Sequence, residues 1–160
     1  MNVIFLDIDG VLTQNSMSNV FNPKNVEALN TLLERLPDVW IVITSNRKIT
    51  NKSYMYFKDL FNANLANSSR IIGLTPVLLI EDSNSGLITK ISGRSAEIEK
   101  YIIDFFPRKK GSKIEKFAII DDSPEELQIF ADKLFITQFS TGLTPEIVEK
   151  IVEYFNEVKE

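Results

Sequence analysis

Short apolar runs recur along the chain, separated by longer segments in which apolar residues return every three or four positions. A run of four or five apolar residues with β-branched members is too short for a helix and is typical of a strand buried in a parallel sheet. Runs of this kind predict strands at Val3 to Leu6, Val39 to Ile43 and Phe117 to Ile120, and shorter apolar stretches predict two more strands at Ile71-Ile72 and Lys133 to Thr137.

The segments between these runs have helical periodicity. Asn22-Pro23 and Thr144-Pro145 each place a capping residue directly before a proline, which is typical of a helix N-terminus. Apolar stripes at helical spacing predict the core-facing residues of four helices: Val26, Leu29, Leu32, Leu33 and Leu36; Tyr54, Phe57, Leu60 and Phe61 within Asn51 to Leu65; Ile98, Tyr101, Ile102, Phe105 and Phe106; and Ile147, Val148, Ile151, Val152 and Phe155.

Strands that alternate with helices predict an α/β fold with a parallel sheet. At 160 residues, the chain fits a single domain spanning 1–160, and we expect a Rossmann-like three-layer sandwich around a mainly parallel five-stranded sheet. Fewer than thirty residues separate Asp9 from the second strand, which leaves room for only a minimal cap. Two strand-like runs around the turn-rich DSNSG predict a β-hairpin near 77–91, either as a flap over the site or as an excursion at the sheet edge.

The composition limits the catalytic side chains and metal ligands that the chain can supply. The chain contains no Cys and no His, which excludes disulfides, thiolate zinc sites, imidazole ligands and catalysis by either side chain. Any bound metal should therefore be a hard cation that prefers oxygen ligands, such as Mg²⁺. The net charge of −4 argues against a broad nucleic-acid-binding surface. No apolar run approaches the length of a membrane span and the N-terminus has no basic leader, so a cytoplasmic location is the default expectation.

Two carboxylates end the first predicted strand. Asp7 and Asp9 would share a face if the extended backbone continues past Leu6, and Gly10 would let the chain turn behind them. Two carboxylates held close together repel each other unless a cation or a proton lies between them. In isolation, such a D-x-D-G sequence is as often an ordinary turn as a functional site.

The stretch from Val3 to Thr13, an apolar run followed by DIDGVLT, resembles the first motif of the haloacid dehalogenase (HAD) phosphatase superfamily. The resemblance implies that Asp7 is a nucleophile that attacks phosphorus and that Asp9 is a general acid and base. It also implies that Thr44, at the end of the second strand, binds a phosphate oxygen with its hydroxyl. In isolation, a hydroxyl at that position would more often be a turn or a helix cap.

Three residues next to Thr44 are candidates for substrate binding. Ser45 and Asn46 would lie on the same loop, and Arg47 would either contact phosphate with two parallel hydrogen bonds or be a solvated charge.

The family's third motif is a basic residue that neutralises the nucleophile. GRSAEIEKYI resembles the corresponding stretch of one HAD branch and assigns this role to Arg94, with Lys90 and Lys100 as competitors. The fourth motif is an acidic pair after a strand, here Asp121 and Asp122, and the resemblance favours Asp122 as the direct metal ligand.

Together these residues predict a magnesium site formed by Asp7, Asp9, Asp121 and Asp122. Ligands of open α/β sheets bind at the carboxyl ends of the strands, so the acids would converge if the first and fourth strands are neighbours. Several carboxylates in one crevice need a divalent cation to offset their repulsion.

The resemblance extends along nearly the whole chain. TQFSTGLTPEIVEKIVEYF is similar to the ending of small HAD domains in RNA-repair proteins, although TSNR lacks the Trp that this branch carries in its second motif. The implied function is an Mg²⁺-dependent phosphatase that acts on an accessible phosphate, such as a nucleic-acid end or a nucleotide. The alternatives are a phosphoprotein phosphatase of the same superfamily, a small-molecule phosphatase whose crevice an oligomeric partner could cover, and a non-enzymatic receiver-like module that binds Mg²⁺ and a phosphoryl group.

Overall fold

The computed structural model describes residues 1–50, 52–81, 83–90, 93–108 and 113–158, with the backbone alone described at 79–81, 88–90 and 106–108. The strands are β1 (Asn2–Leu6), β2 (Val39–Ile43), β3 (Ile71–Leu74), β4 (Leu79–Glu81), β5 (Ile88–Lys90), β6 (Lys116–Asp121) and β7 (Leu134–Ile136). The α-helices are α1 (Pro23–Arg35), α2 (Tyr54–Asn64), α3 (Arg94–Arg108) and α4 (Pro145–Asn156).

Five strands form one parallel sheet in the order β3-β2-β1-β6-β7. This confirms the predicted Rossmann-like sheet and places the apolar run at the N-terminus in its centre. Counted among themselves, the five strands follow the order 3-2-1-4-5 of the doubly wound dinucleotide-binding folds, not the order 2-1-3-4-5 of receiver domains. The neighbours of β1 are therefore β2 and β6, the strands that lead to Thr44 and Asp121.

Helices cover both faces of the sheet because the central strands are apolar on both faces. Ile4 and Leu6 of β1 point into a core shared with α1, α2 and α4. Val3 and Phe5 point into a second core, built with the apolar face of α3. The result is the expected three-layer sandwich.

The predicted helix caps are confirmed. The side chain of Asn22 accepts a hydrogen bond from the backbone N–H of Lys24, and that of Thr144 accepts one from Ile147. A proline follows each cap at the first helical position, where no backbone donor is needed.

The prediction for α2 is wrong in one respect. Phe57 and Phe61 are fully buried, but Tyr54, expected to face the core, is 40% exposed. Tyr54 is the first residue of the helix, directly after the cap Ser53, and its hydroxyl donates to the backbone oxygen of Ile71 in a partly buried contact. Asn51, where the helix was expected to begin, lies outside the described residues.

The apolar stripe of α3 is confirmed at the positions that the structure describes. Ile98, Tyr101 and Phe105 are buried, and Ile102 is partly buried against the same core. The side chain of Phe106 is not among those that the structure describes.

The predicted hairpin is also present. β4 and β5 pair antiparallel, with Leu79 opposite Lys90 and Glu81 opposite Ile88. The hairpin lies between β3 and α3 in the chain and is the small insertion that the sequence allowed. Whether it covers the site as a flap stays a prediction.

Candidate active site

Three polar side chains lie side by side at the carboxyl ends of the three central strands. The backbone N–H of Asp7 donates to the oxygen of Ile120, so the parallel pairing of β1 with β6 continues one residue past Leu6. On the other side, the N–H of Thr44 donates to the oxygen of Leu6. Asp7 thus lies between Thr44 and Asp121, and all three are buried.

Arg94 joins two of these strand ends. Its Nη1 lies 3.0 Å from Oδ2 of Asp7 and also binds the carboxylate of Asp121. Arg94 is the first residue of α3, and its side chain is almost fully buried. The structure therefore brings together the residues predicted as nucleophile, third motif and fourth motif.

The two competitors for the third motif differ from Arg94. Lys100 is half exposed and pairs with Asp104 one turn further along α3. The side chain of Lys90 lies outside the described residues.

Burial governs the titration of this cluster. It raises the pKa of Asp7 to about 7; Arg94 opposes the rise and the charge of Asp121 adds to it. Burial also raises the pKa of Asp121, again against the opposing effect of Arg94. For Arg94 itself, burial disfavours the charge, but the two carboxylates outweigh that effect and raise its pKa. The single positive charge of Arg94 is thus shared by the carboxylates of Asp7 and Asp121 and cannot offset both.

Asp122 supplies a third carboxylate. One oxygen from each of Asp7, Asp121 and Asp122 lies within 4.8 Å of the other two. The Asp121 carboxylate also accepts a hydrogen bond from the backbone N–H of Ser123, 2.8 Å away. The Asp122 carboxylate occupies the space that a side chain on Gly10 would need, and Gly10 has φ +83°. An all-oxygen donor set with excess negative charge fits a hard divalent cation such as Mg²⁺.

Asp9, the fourth predicted metal ligand, is not part of this cluster. Its Oδ2 accepts from Nε of Arg47 at 3.0 Å, and its Oδ1 accepts from Nη2 at 2.7 Å. Oδ1 also accepts from the backbone N–H of Met17. The metal role of Asp9 stays a prediction, and the geometry shows instead a carboxylate oriented by a two-pronged guanidinium.

Of the two alternatives predicted for Arg47, the solvated charge is wrong, and the contact to phosphate stays a prediction. The side chain is fully buried, and besides Asp9 it contacts the hydroxyl of Tyr56 at 3.2 Å. Burial disfavours its charge, but hydrogen bonds with Asp9 and Tyr56 outweigh this and raise its pKa. A lone Arg gives no sequence signal for such an environment, because its acidic partner lies in a distant segment, after β1.

The other predicted substrate-binding residues have different environments. The hydroxyl of Thr44 is buried and has no hydrogen-bond partner among the described residues, as expected of a group that binds a ligand. The Ser45 hydroxyl accepts from the backbone N–H of Arg47 at 3.1 Å and so helps to start the short 3₁₀ helix Asn46–Thr50. Asn46 is exposed.

Sequence reasoning missed a buried ion pair beside the site. Nζ of Lys48 lies 2.5 Å from Oε2 of Glu97 and 2.7 Å from the hydroxyl of Thr75, and the Lys48 and Glu97 side chains are almost completely buried. Glu97 lies one turn after Arg94 on α3, so the pair ties the start of this helix to the loop after β2. Both residues resemble ordinary surface charges in the sequence.

A cavity of about 630 Å³ lies elsewhere, between the first turns of α1 and α4. It is lined by Asn25, Ala28, Thr144 and Val148, among others, and by neither Asp7 nor Asp121. The chemistry of the side chains, not the size of the cavity, identifies the candidate site.

A family model described as the HAD domain in Swiss Army Knife RNA repair proteins matches residues 3–148. The chain belongs to this family. The resemblance noted at the first strand is thereby confirmed, and this HAD domain is a member of a superfamily of hydrolases that generally act on phosphorylated substrates with Mg²⁺. No curated protein and no solved structure gives a significant match. Among the described residues of the domain, none of the helices is both long enough and apolar enough to span a bilayer.

Proposed function

We propose that this HAD domain is an Mg²⁺-dependent phosphatase that hydrolyses phosphomonoesters through a phosphorylated aspartate. The observation that carries the proposal is the convergence of Asp7, Asp121 and Asp122 around Arg94 at the carboxyl ends of β1 and β6. A buried carboxylate beside one guanidinium and two further acids has the surroundings of a nucleophile for phosphoryl transfer.

Asp7, Asp121 and Asp122 would hold the Mg²⁺. When bound, the ion would offset the charge of these acids and of the substrate phosphate. We expect the ion at this cluster because its carboxylates carry more negative charge than Arg94 can offset.

The first chemical step would use Asp7 as nucleophile. One of its carboxylate oxygens attacks the phosphorus in line, the bond from phosphorus to the ester oxygen breaks, and a proton from Asp9 goes to the departing alkoxide. The second step reverses these roles, because Asp9 takes a proton from the water that attacks phosphoaspartate. Inorganic phosphate leaves, and the Asp7 carboxylate is restored.

Two further side chains would stabilise the transition state. Arg94 donates to the equatorial phosphate oxygens while it remains next to Asp7, and the hydroxyl of Thr44 gains the partner that it otherwise lacks. Arg47 would orient Asp9 through its two hydrogen bonds to the carboxylate. Ser45 and Asn46 remain candidates for contacts to the rest of the substrate.

The substrate phosphate should be accessible on a larger molecule. The insertions are short, the only cap-like element in the described residues is the β4–β5 hairpin, and such a crevice can admit the end of a nucleic acid or a nucleotide. The family's description points to RNA repair. Small-molecule and phosphoprotein substrates remain the alternatives, because TSNR departs from that branch at its second motif.

The receiver-like alternative is disfavoured by topology. Receivers carry their acidic pair on the first strand and follow the strand order 2-1-3-4-5, whereas here the pair lies at the end of β6 and the order is 3-2-1-4-5. Turnover distinguishes the two readings, because a receiver would react once and stop.

The test is steady-state hydrolysis of para-nitrophenyl phosphate with and without Mg²⁺. We expect many turnovers per protein with Mg²⁺ and none after chelation with EDTA. In parallel, Mg²⁺ should raise the melting temperature of the wild-type protein more than that of the Asp122→Asn variant. Phosphate release limited to one equivalent, or turnover unaffected by EDTA, would contradict the proposal.

A further inference from the structure

One aromatic side chain stands at the edge of the site. Phe139 is 42% exposed and belongs to neither of the two hydrophobic cores. It also takes part in none of the ring pairs found among the described residues. The packing of the domain therefore gives little reason for a phenyl ring at this position.

The ring lies against the loop that carries the two catalytic acids. Its Cδ2 would be 2.9 Å from a Cβ atom on Gly10, and the carboxylate of Asp122 borders the same point. Asp7, three residues before Gly10, is buried, whereas Phe139 is at the surface. The ring therefore lies at the surface beside the loop that follows Asp7, next to the Asp122 carboxylate.

The turn that carries Phe139 is firmly attached to this loop. The hydroxyl of Thr137 donates to the oxygen of Gly10 at 2.7 Å, and its backbone N–H donates to the oxygen of Asp121. After the turn, the N–H of Leu143 donates to the oxygen of Val11. Hydrogen bonds on both sides hold the backbone of this turn in place, so the ring that it carries starts from a fixed position.

A second apolar side chain is exposed near Asp9, the other acid of the first motif. Met17 is 47% exposed, and its backbone N–H binds the carboxylate of Asp9. Its φ of +66° is unusual for a residue with a side chain. The loops around both acids of the first motif therefore present apolar groups to solvent.

We propose that Phe139 is a stacking surface for the nucleobase of a terminal nucleotide whose phosphate is bound at Asp7. The proposal rests on the phosphatase function and names its substrate class. In a nucleotide, a sugar separates the base from the phosphate, which suits a ring at the surface above a buried nucleophile. Every base has a flat face, and stacking gives affinity without a basic surface, consistent with the net charge of −4.

The test compares substrates that differ only by a base. The ratio of kcat/KM for adenosine 5′-monophosphate to that for ribose 5-phosphate is measured in wild type, Phe139→Ala and Phe139→Trp. Trinucleotides with a terminal 3′- or 5′-phosphate, each beside an analogue that lacks the terminal base, distinguish a nucleic-acid end from a free nucleotide.

We expect Phe139→Ala to lower the ratio by about 5- to 150-fold, which corresponds to about 1–3 kcal/mol of stacking. Phe139→Trp should keep or raise the ratio. Ile103→Ala is the matched control, because it shortens an exposed apolar side chain on the outer face of α3 and should leave the ratio unchanged. Melting temperatures of all variants show whether each one is folded.

The outcomes separate this inference from the proposed function. If ribose 5-phosphate is hydrolysed and Phe139→Ala leaves the ratio unchanged, the stacking surface is refuted and the phosphatase stands. If a phosphotyrosine peptide loses as much kcat/KM in Phe139→Ala as the nucleotide does, the assignment to a nucleobase is overturned.

A binding measurement covers the case in which no phosphate ester is hydrolysed. Fluorescence of the Phe139→Trp variant that is quenched by adenosine 5′-monophosphate, but not by ribose 5-phosphate, would support the base subsite without any turnover. Absence of this quenching would overturn it.

Discussion

Nη1 of Arg94 lies 3.0 Å from Oδ2 of Asp7, so the residue that begins α3 neutralises the residue that follows β1. The same guanidinium binds Asp121 at the end of the neighbouring strand. A single side chain thus holds together acids from distant parts of the sequence, and its removal should affect both stability and activity.

Arg94→Ala should reduce kcat/KM by about 10²-fold or more, because a preorganised positive charge is lost where the transition state needs it. The variant should also unfold more easily, by about 3–5 kcal/mol, since two buried carboxylates lose their partner. Hydrolysis kinetics and chemical denaturation measure the two effects. Lys100→Ala, which removes an exposed charge on the same helix, is the control, and an equal loss of activity there would mean that Arg94 has no special role.

Asp7→Asn should lower kcat by about 10⁴-fold or more, because an amide cannot replace the attacking carboxylate. Without metal at neutral pH, the folded state should become more stable, since one of the two buried acids that share Arg94 is gone. For a protein of this size, the melting temperature should rise by about 2–4 °C for each kcal/mol gained. Asp38→Asn, at an exposed turn, should change neither quantity. Full activity of Asp7→Asn would refute the nucleophile assignment.

The pH dependence of stability should report the raised pKa of Asp7. In the metal-free protein, the folded state favours the protonated acid, so the contribution of Asp7 to stability is greatest below its ordinary pKa of 3.8. That contribution is lost as the pH rises toward the folded-state pKa of about 7. The advantage of Asp7→Asn over wild type should therefore be small near pH 4 and grow up to about pH 7. Urea unfolding at several pH values, without divalent cations, measures this difference, and a constant difference would contradict the assigned pKa.

Arg47→Lys should slow turnover by about 10²-fold, at the lower end of the contribution of general acid–base catalysis. Lysine keeps the charge but cannot make two parallel hydrogen bonds, so Asp9 loses its orientation. Tyr56→Phe is the matched control, because it removes a contact to Arg47 and leaves both bonds to Asp9. Steady-state kinetics should show the loss in kcat for the first variant and a much smaller effect for the second. An unchanged kcat in Arg47→Lys would show that the two-pronged contact is dispensable.

The buried pair of Lys48 and Glu97 should behave as a coupled unit. Lys48→Met or Glu97→Met alone should cost about 3–5 kcal/mol, because each leaves an opposite charge buried, and the double variant should cost clearly less than the sum. The exposed pair of Arg35 and Glu149 offers the comparison, with an expected coupling of about 0.2–1 kcal/mol. Double-mutant cycles by chemical denaturation measure both. Additive effects at Lys48 and Glu97 would contradict a strong interaction.

Much of the scaffold followed from the sequence. Apolar runs and helical stripes predicted the five parallel strands and the helices, because burial on both faces of a sheet imposes these patterns locally. The caps at Asn22 and Thr144 could be predicted because they too are local, since the side chain of a cap bonds within its own turn. Even the meeting of Asp7 with Asp121 was expected, given that parallel strands end at the same edge of a sheet.

Tertiary structure alone decided which charged groups pair. Nothing near Arg47 in the sequence indicates that it binds Asp9, or that Lys48 is buried against Glu97, because these contacts join residues on different elements. Arg94 was singled out by its resemblance to a motif, but its place between two acids depends on how α3 packs on the sheet. Local patterns record which residues are buried, whereas the partner of a charge depends on distances between elements that only the folded chain fixes.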